Sequence, residues 1–191
     1  MILITGATGT IGSDIVRQLA AEGLAVRAAT RDPERTGFPA GVEPLRAGHP
    51  VPNLTGDGRQ PVVDPRDVAA VAVTALRSPA HAGRILTLTG PELMSGHEQA
   101  AVLAEILGRP IEVTDIPEGD TRAFMIAAGL PPAFVEGAAV GQSFVRHGHN
   151  ETITDDIEQA LGRPSRSYAA WVADHRAAFA PVVAGVTSGP N

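Results

Sequence analysis

The stretch MILITGATGTIGSDIVRQLAAEGLAVRAATR, residues 1–31, decides the fold. A short apolar strand (Ile2, Leu3, Ile4) runs into Thr5-Gly6-Ala7-Thr8-Gly9-Thr10-Ile11-Gly12. Ile11, Ile15, Leu19 and Ala20 then recur at helical spacing, which predicts a helix over residues 10–22. Gly23 stands where a helix-ending glycine belongs, and an apolar run from Leu24 to Ala29 predicts a second strand. Strand, glycine-rich turn, helix and strand in this order form the context in which a glycine spacing signals dinucleotide binding. Gly6 permits the tight exit from the strand. Gly9 admits a pyrophosphate close to the backbone, and Gly12 lets the helix pack on the sheet. The free amides of the helix start then face the phosphates, with Thr8 and Thr10 adding hydroxyls.

The cofactor is selected at the end of the second strand. An acid there accepts the ribose hydroxyls of NAD, whereas a base favours the 2′-phosphate of NADP. This chain carries Thr30-Arg31, so NADP is expected over NAD. The cofactor-binding candidates are Gly6, Thr8, Gly9, Thr10, Ile11, Gly12 and Arg31.

Composition excludes several chemistries. All 15 basic residues are Arg, and the net charge is −6. Without Lys there is no Schiff base, Walker lysine or Tyr-x-x-x-Lys pair. Without Cys there is no disulfide, thiolate catalysis or thiolate-bound zinc. The acidic balance argues against a nucleic-acid partner. No apolar run approaches the ~20 residues of a membrane helix, and no signal peptide is read at the amino terminus. A cytoplasmic protein is expected.

Further along, Val42-Glu43-Pro44-Leu45 reads as a weak third strand, and residues 46–61 as a loop without elements of its own. Asp64 and Asp67 flank Pro65 at the start of a helix that runs to Arg77. Ile85–Thr89 alternates as a strand. Ser95 and Glu98 form a capping box before a helix over 96–107, closed by Gly108. A strand is expected over 111–116, and helices over 119–128, 132–146, 155–161 and 167–179.

TGATGTIG with VRAATRDPER resembles the NmrA-like, quinone-oxidoreductase-2-like branch of the atypical short-chain dehydrogenases. The likeness continues through VVDPRDVAAVAVTAL, GRILTLTGPELMS, EQAAVLAEILGRPIEVTDIP and TDDIEQALGRPSRSYAAWVADHRAAF. It implies a truncated Rossmann-like α/β fold, a doubly wound parallel sheet with a small helical carboxy-terminal lobe. The organisation expected is a dinucleotide-binding core over 1–117, a substrate-side lobe over 118–180 and a tail over 181–191. The family includes NADP-dependent reductases and non-catalytic redox sensors. The middle departs from it: each βαβ unit takes about 30 residues, and fewer than twenty separate Leu45 from Asp64. The acid that the family shows after its third strand is replaced by Ala47-Gly48-His49. A chain lacking its central segment exposes an edge of the first strand, so a homodimer is expected.

Catalytic candidates are few. Tyr168 lies on an apolar helix face with Trp171, Val172, His175 and Phe179. His49, at the shortened centre, is the candidate acid or base. His147, His149 and Glu151 give two imidazoles and a carboxylate in a loop, short of a zinc site, so no metal is expected. The apolar helices between 119 and 146 suit a small apolar or aromatic substrate. The readings are an NADPH-dependent reductase of a quinone- or carbonyl-type molecule, a non-catalytic NADP sensor, and a non-redox isomerase, cyclase or lyase.

Overall fold

The computed structural model describes residues 2–5, 11, 13–15, 17, 26–29, 50–130 and 132–179. Strands β1 (Ile2–Thr5) and β2 (Val26–Ala29) pair in parallel, with Ile2 opposite Val26 and Thr5 opposite Ala29. Ile11, Ser13–Ile15 and Arg17 between them are helical. A parallel pair needs a crossover, and a helix supplies it. The architecture is the truncated Rossmann-like α/β fold expected. Residues 42–45, the weak third strand, lie outside the described residues.

Residues 46–61 require a correction, because they are not all loop. They contain β3 (Val51–Asn53) and β4 (Gln60–Pro61). β3 pairs in parallel with β6 (Val113–Asp115), and β4 pairs antiparallel with β5 (Leu93–Met94). The Gly, Pro and Asn content suggests a turn, but these ladders have distant partners. Val51 N donates to Glu112 O at 2.8 Å and Ile116 N to Asn53 O at 2.9 Å. Pro52, the residue between, lacks an N–H and loses nothing on a strand paired along one side.

Ile85–Thr89 requires the opposite correction, since it joins no ladder among the described residues. Side chains bind it instead: Thr87 N donates to Asp156 Oδ2 at 2.7 Å, and Thr154 N to Thr89 Oγ1 at 3.0 Å. Ile85 is left 94% exposed.

Helix α1 (Pro65–Arg77) starts as expected, with Asp64 capping through Arg66 N. Asp67 does more than favour the first turn. It is fully buried and ion-paired with Arg163 and Arg166. Helix α2 (Gly96–Leu107) has the reciprocal Ser95–Glu98 capping box and ends on Gly108 at φ 67°. Then follow α3 (Thr121–Ala127), α4 (Pro132–Arg146), α5 (Asp156–Leu161) and α6 (Tyr168–Asp174). α1 packs on α5, α2 on α6, and α3 on α4. Met125, Val135 and Ala139 form the core of the α3–α4 unit, with Leu54 and Leu130 packed against them.

Candidate functional site

The expected cofactor side lies at the carboxyl end of β1. That strand ends at Thr5, and the chain is helical at Ile11. This is the arrangement in which helix amides face an anion. Ile11 is exposed there. One turn on, Asp14 and Arg17 form an ion pair. Gly6, Thr8, Gly9, Thr10, Gly12, Arg31 and His49 lie outside the described residues.

A second site is built by the helical residues. Helix α4 places Ala139 and Ser143 at a spacing of four, and His147, just past its end, continues that row. Together with Val140 and Phe144 they form one wall of a cavity of about 430 Å³. Leu54, from the loop after β3, and Glu118, Thr121 and Arg122, from the start of the α3 region, form the rest with His149. A buried Asn53 shapes that loop: its Oδ1 accepts from Thr55 N at 3.1 Å, and its Nδ2 donates to Gly56 O at 2.9 Å and Asp115 Oδ1 at 2.7 Å. Arg146 ties the loop to the helix end, Nη2 donating to Leu54 O and to Ile116 O, each at 2.9 Å.

Three side chains in the cavity form a polar cluster. Ser143 Oγ donates to Glu118 Oε1 at 2.6 Å. His147 Nδ1 lies 2.8 Å from the Ser143 carbonyl oxygen, which can only accept, so Nδ1 carries the ring hydrogen. His147 Nε2 then faces Glu118 Oε2 across 3.8 Å. The Ser143 hydrogen bond holds the Glu118 carboxyl below the usual carboxylate range, and Arg146, Arg122 and, when protonated, His147 act in the same sense. Arg122 is itself engaged, donating to both carboxylate oxygens of Glu136 at 2.8 and 3.0 Å.

His147 was legible in the sequence as a candidate, and Ser143 four residues earlier on a predicted helix could have been added to it. Glu118 left no signal, being 25 residues from Ser143 in the chain. Glu151 joins no metal set. Among the described residues, no three His, Cys, Asp or Glu side chains converge to hold a metal ion. Tyr168 stacks on Trp171 at 5.9 Å, and burial pushes its phenol up. No helix among the described residues is long and apolar enough to cross a membrane.

Residues 2–41 match the NAD dependent epimerase/dehydratase family. The chain is 36% identical over 137 residues to a (4-alkanoyl-5-oxo-2,5-dihydrofuran-3-yl)methyl phosphate reductase of Streptomyces griseus, covering 72% of this chain and 48% of that one. It is 32% identical to an NAD(P)H azoreductase of Xenophilus azovorans, covering 65% of this chain and 43% of the relative. The chain therefore spans about half the length of the curated relatives it matches. Its fold is similar to that of the NADPH-dependent quinone oxidoreductase QOR2 of Escherichia coli, solved with NADPH. There the TM-score is 0.67 at 17% identity, covering 91% of this chain and 99% of the other.

Proposed function

On the premise that this chain is of the NmrA-like, quinone-oxidoreductase-2-like type, we propose that it binds NADP and acts as a reductase of a small quinone- or carbonyl-type molecule. The observation that carries this reading is the parallel β1–β2 pair with helical residues Ile11, Ser13–Ile15 and Arg17 between the two strands. Gly6, Thr8, Gly9, Thr10, Ile11 and Gly12 would hold the diphosphate, and Arg31 the 2′-phosphate. The nicotinamide, when bound, supplies the reducing equivalent. NAD(P)H-linked reduction in the azoreductase relative and NADPH in the quinone oxidoreductase structure support the reading.

The experiment is a calorimetric titration of the full chain with NADPH and with NADH, repeated on Arg31→Ala. A charged hydrogen bond is worth roughly 1.5–3 kcal/mol, or about ten- to a hundred-fold in affinity. Arg31→Ala is expected to weaken NADPH by about that factor while NADH changes little. Equal losses for both nucleotides would defeat the cofactor assignment. Oxidation of bound NADPH by added quinones then tests the reductase.

One observation favours a second reading, a non-catalytic NADP sensor. The chain has no Lys, and its single Tyr, Tyr168, is stacked on Trp171 with a raised pKa, so the usual tyrosine acid is missing. Tight NADPH binding without turnover would select it.

A homodimer in the cytoplasm completes the proposal. Among the described residues β1 pairs only with β2, and its other edge is the one proposed to meet a second strand.

A further inference from the structure

We infer that the cavity beside α4 is a binding site for an aromatic ligand carrying a primary amine, its nitrogen held between Glu118 and His147. The inference stands apart from the reductase reading, because it concerns binding alone and needs no nucleotide.

Between Glu118 and His147 the site presents two hydrogen-bond acceptors. Ser143 gives its only hydroxyl hydrogen to Glu118 Oε1. His147 directs its ring hydrogen at the Ser143 carbonyl, so in the neutral imidazole Nε2 presents a lone pair. Glu118 Oε2, on a carboxyl held in its charged form, presents another. The two atoms stand 3.8 Å apart, beyond hydrogen-bond reach of each other. One nitrogen about 2.9 Å from each fits that gap. To satisfy both it must bring at least two hydrogens, as an amine or ammonium does.

The surroundings discriminate by charge in the same direction. Arg122, which also lines the cavity, pairs with Glu136, and Arg146 Nη2 donates to the carbonyls of Leu54 and Ile116. A carboxylate or phosphate placed between Glu118 and His147 would meet two lone pairs and the Glu118 charge. Leu54, Val140 and Phe144 supply apolar wall. Phe144 and His149, with ring centroids 5.3 Å apart, add an aromatic surface that favours a flat ring and a nearby cation. About 430 Å³ accommodates a bicyclic aromatic.

The test is calorimetry on the full chain at pH 8 with 1-naphthylmethylamine, 1-naphthoate and 1-methylnaphthalene as probes. The amine is expected to bind at least about ten-fold more tightly than either comparator, in line with a charge-assisted hydrogen bond. Glu118→Gln and His147→Leu should each weaken the amine, Glu118→Gln by about ten- to a hundred-fold. Glu105→Gln, an exposed carboxylate on α2, should leave it unchanged. Circular dichroism verifies that each variant is folded. Equal binding of naphthoate or methylnaphthalene, an unchanged affinity in folded Glu118→Gln, or an equal loss in Glu105→Gln would overturn the inference.

Discussion

Asp67 Oδ1, fully buried in the first turn of α1, accepts a 2.7 Å hydrogen bond from Arg163 Nη2, 96 residues further along the chain. Its other oxygen accepts from the Arg166 backbone N–H at 2.7 Å, and the Arg166 guanidinium also pairs with Oδ1. One carboxylate thus anchors the loop between α5 and α6 to α1. Breaking a buried pair leaves charge uncompensated and costs roughly 3–5 kcal/mol. Both guanidiniums keep some solvent, with side chains 37% and 36% exposed, which favours the lower end. Asp67→Asn is expected to destabilise the chain by about 3 kcal/mol. Urea unfolding followed by circular dichroism measures it, and a loss below about 1 kcal/mol, the range of surface pairs, would reject this role.

Gly58 and Gly137 should respond to alanine with opposite signs. A Cβ at Gly58 would lie 2.2 Å from the Val145 carbonyl oxygen and 2.7 Å from Arg146 Cα, both backbone atoms of α4. At Gly137, inside α4, a Cβ meets nothing within 4 Å. Gly58→Ala must push the loop off the helix end and should cost about 1–3 kcal/mol, as overpacking does. Gly137→Ala gains helix propensity and should stabilise by roughly 0.5–1 kcal/mol. Thermal melts of the two variants decide it; a shift of the same sign in both would contradict the packing of residues 54–58 on α4.

Acid should unfold the chain in a defined window. Burial pushes the Asp64 carboxyl up, but hydrogen bonds from the Arg66 side chain and amide outweigh it and leave it low. Glu98 is brought down to about 2 by the Arg59 fork and the Ser95 amide. A carboxyl whose folded pKa is depressed contributes stability above its unfolded pKa and loses it as pH falls through the folded value. Stability should therefore hold above about pH 5 and decline from the ordinary carboxylate range, about 4, toward about 2. Asp64→Asn should flatten this decline more than Glu98→Gln, because the Glu98 pair is open to solvent. Melting temperatures from pH 6 to pH 2 provide the check, with the reverse order counting against the assignment.

Light scattering tests the dimer. The proposed open edge of β1 predicts twice the chain mass for the protein. A monomer would remove the proposal.

Local structure was legible because it is specified within a few residues. The Asp64 cap, the Ser95–Glu98 box, the left-handed Gly108 and the span of α4 each depend on near neighbours and on periodicity. Residues 51–53 and 85–89 show the limit. The first, rich in turn-forming neighbours, is a strand because residues 113–115 lie beside it. The second, patterned as a strand, has no ladder because no strand among the described residues reaches it.

By itself, then, the sequence determined the opening pair of strands with helical residues between them, its kinship, and the helices with their caps, all encoded by short-range spacing. Only the tertiary structure decided which strands pair, that Asp67 meets Arg163 and Arg166, and that Glu118 faces Ser143 and His147. Those partners lie 25 to 99 residues apart. Hydrogen bonds and ion pairs between them exist only once packing has brought the distant segments into contact.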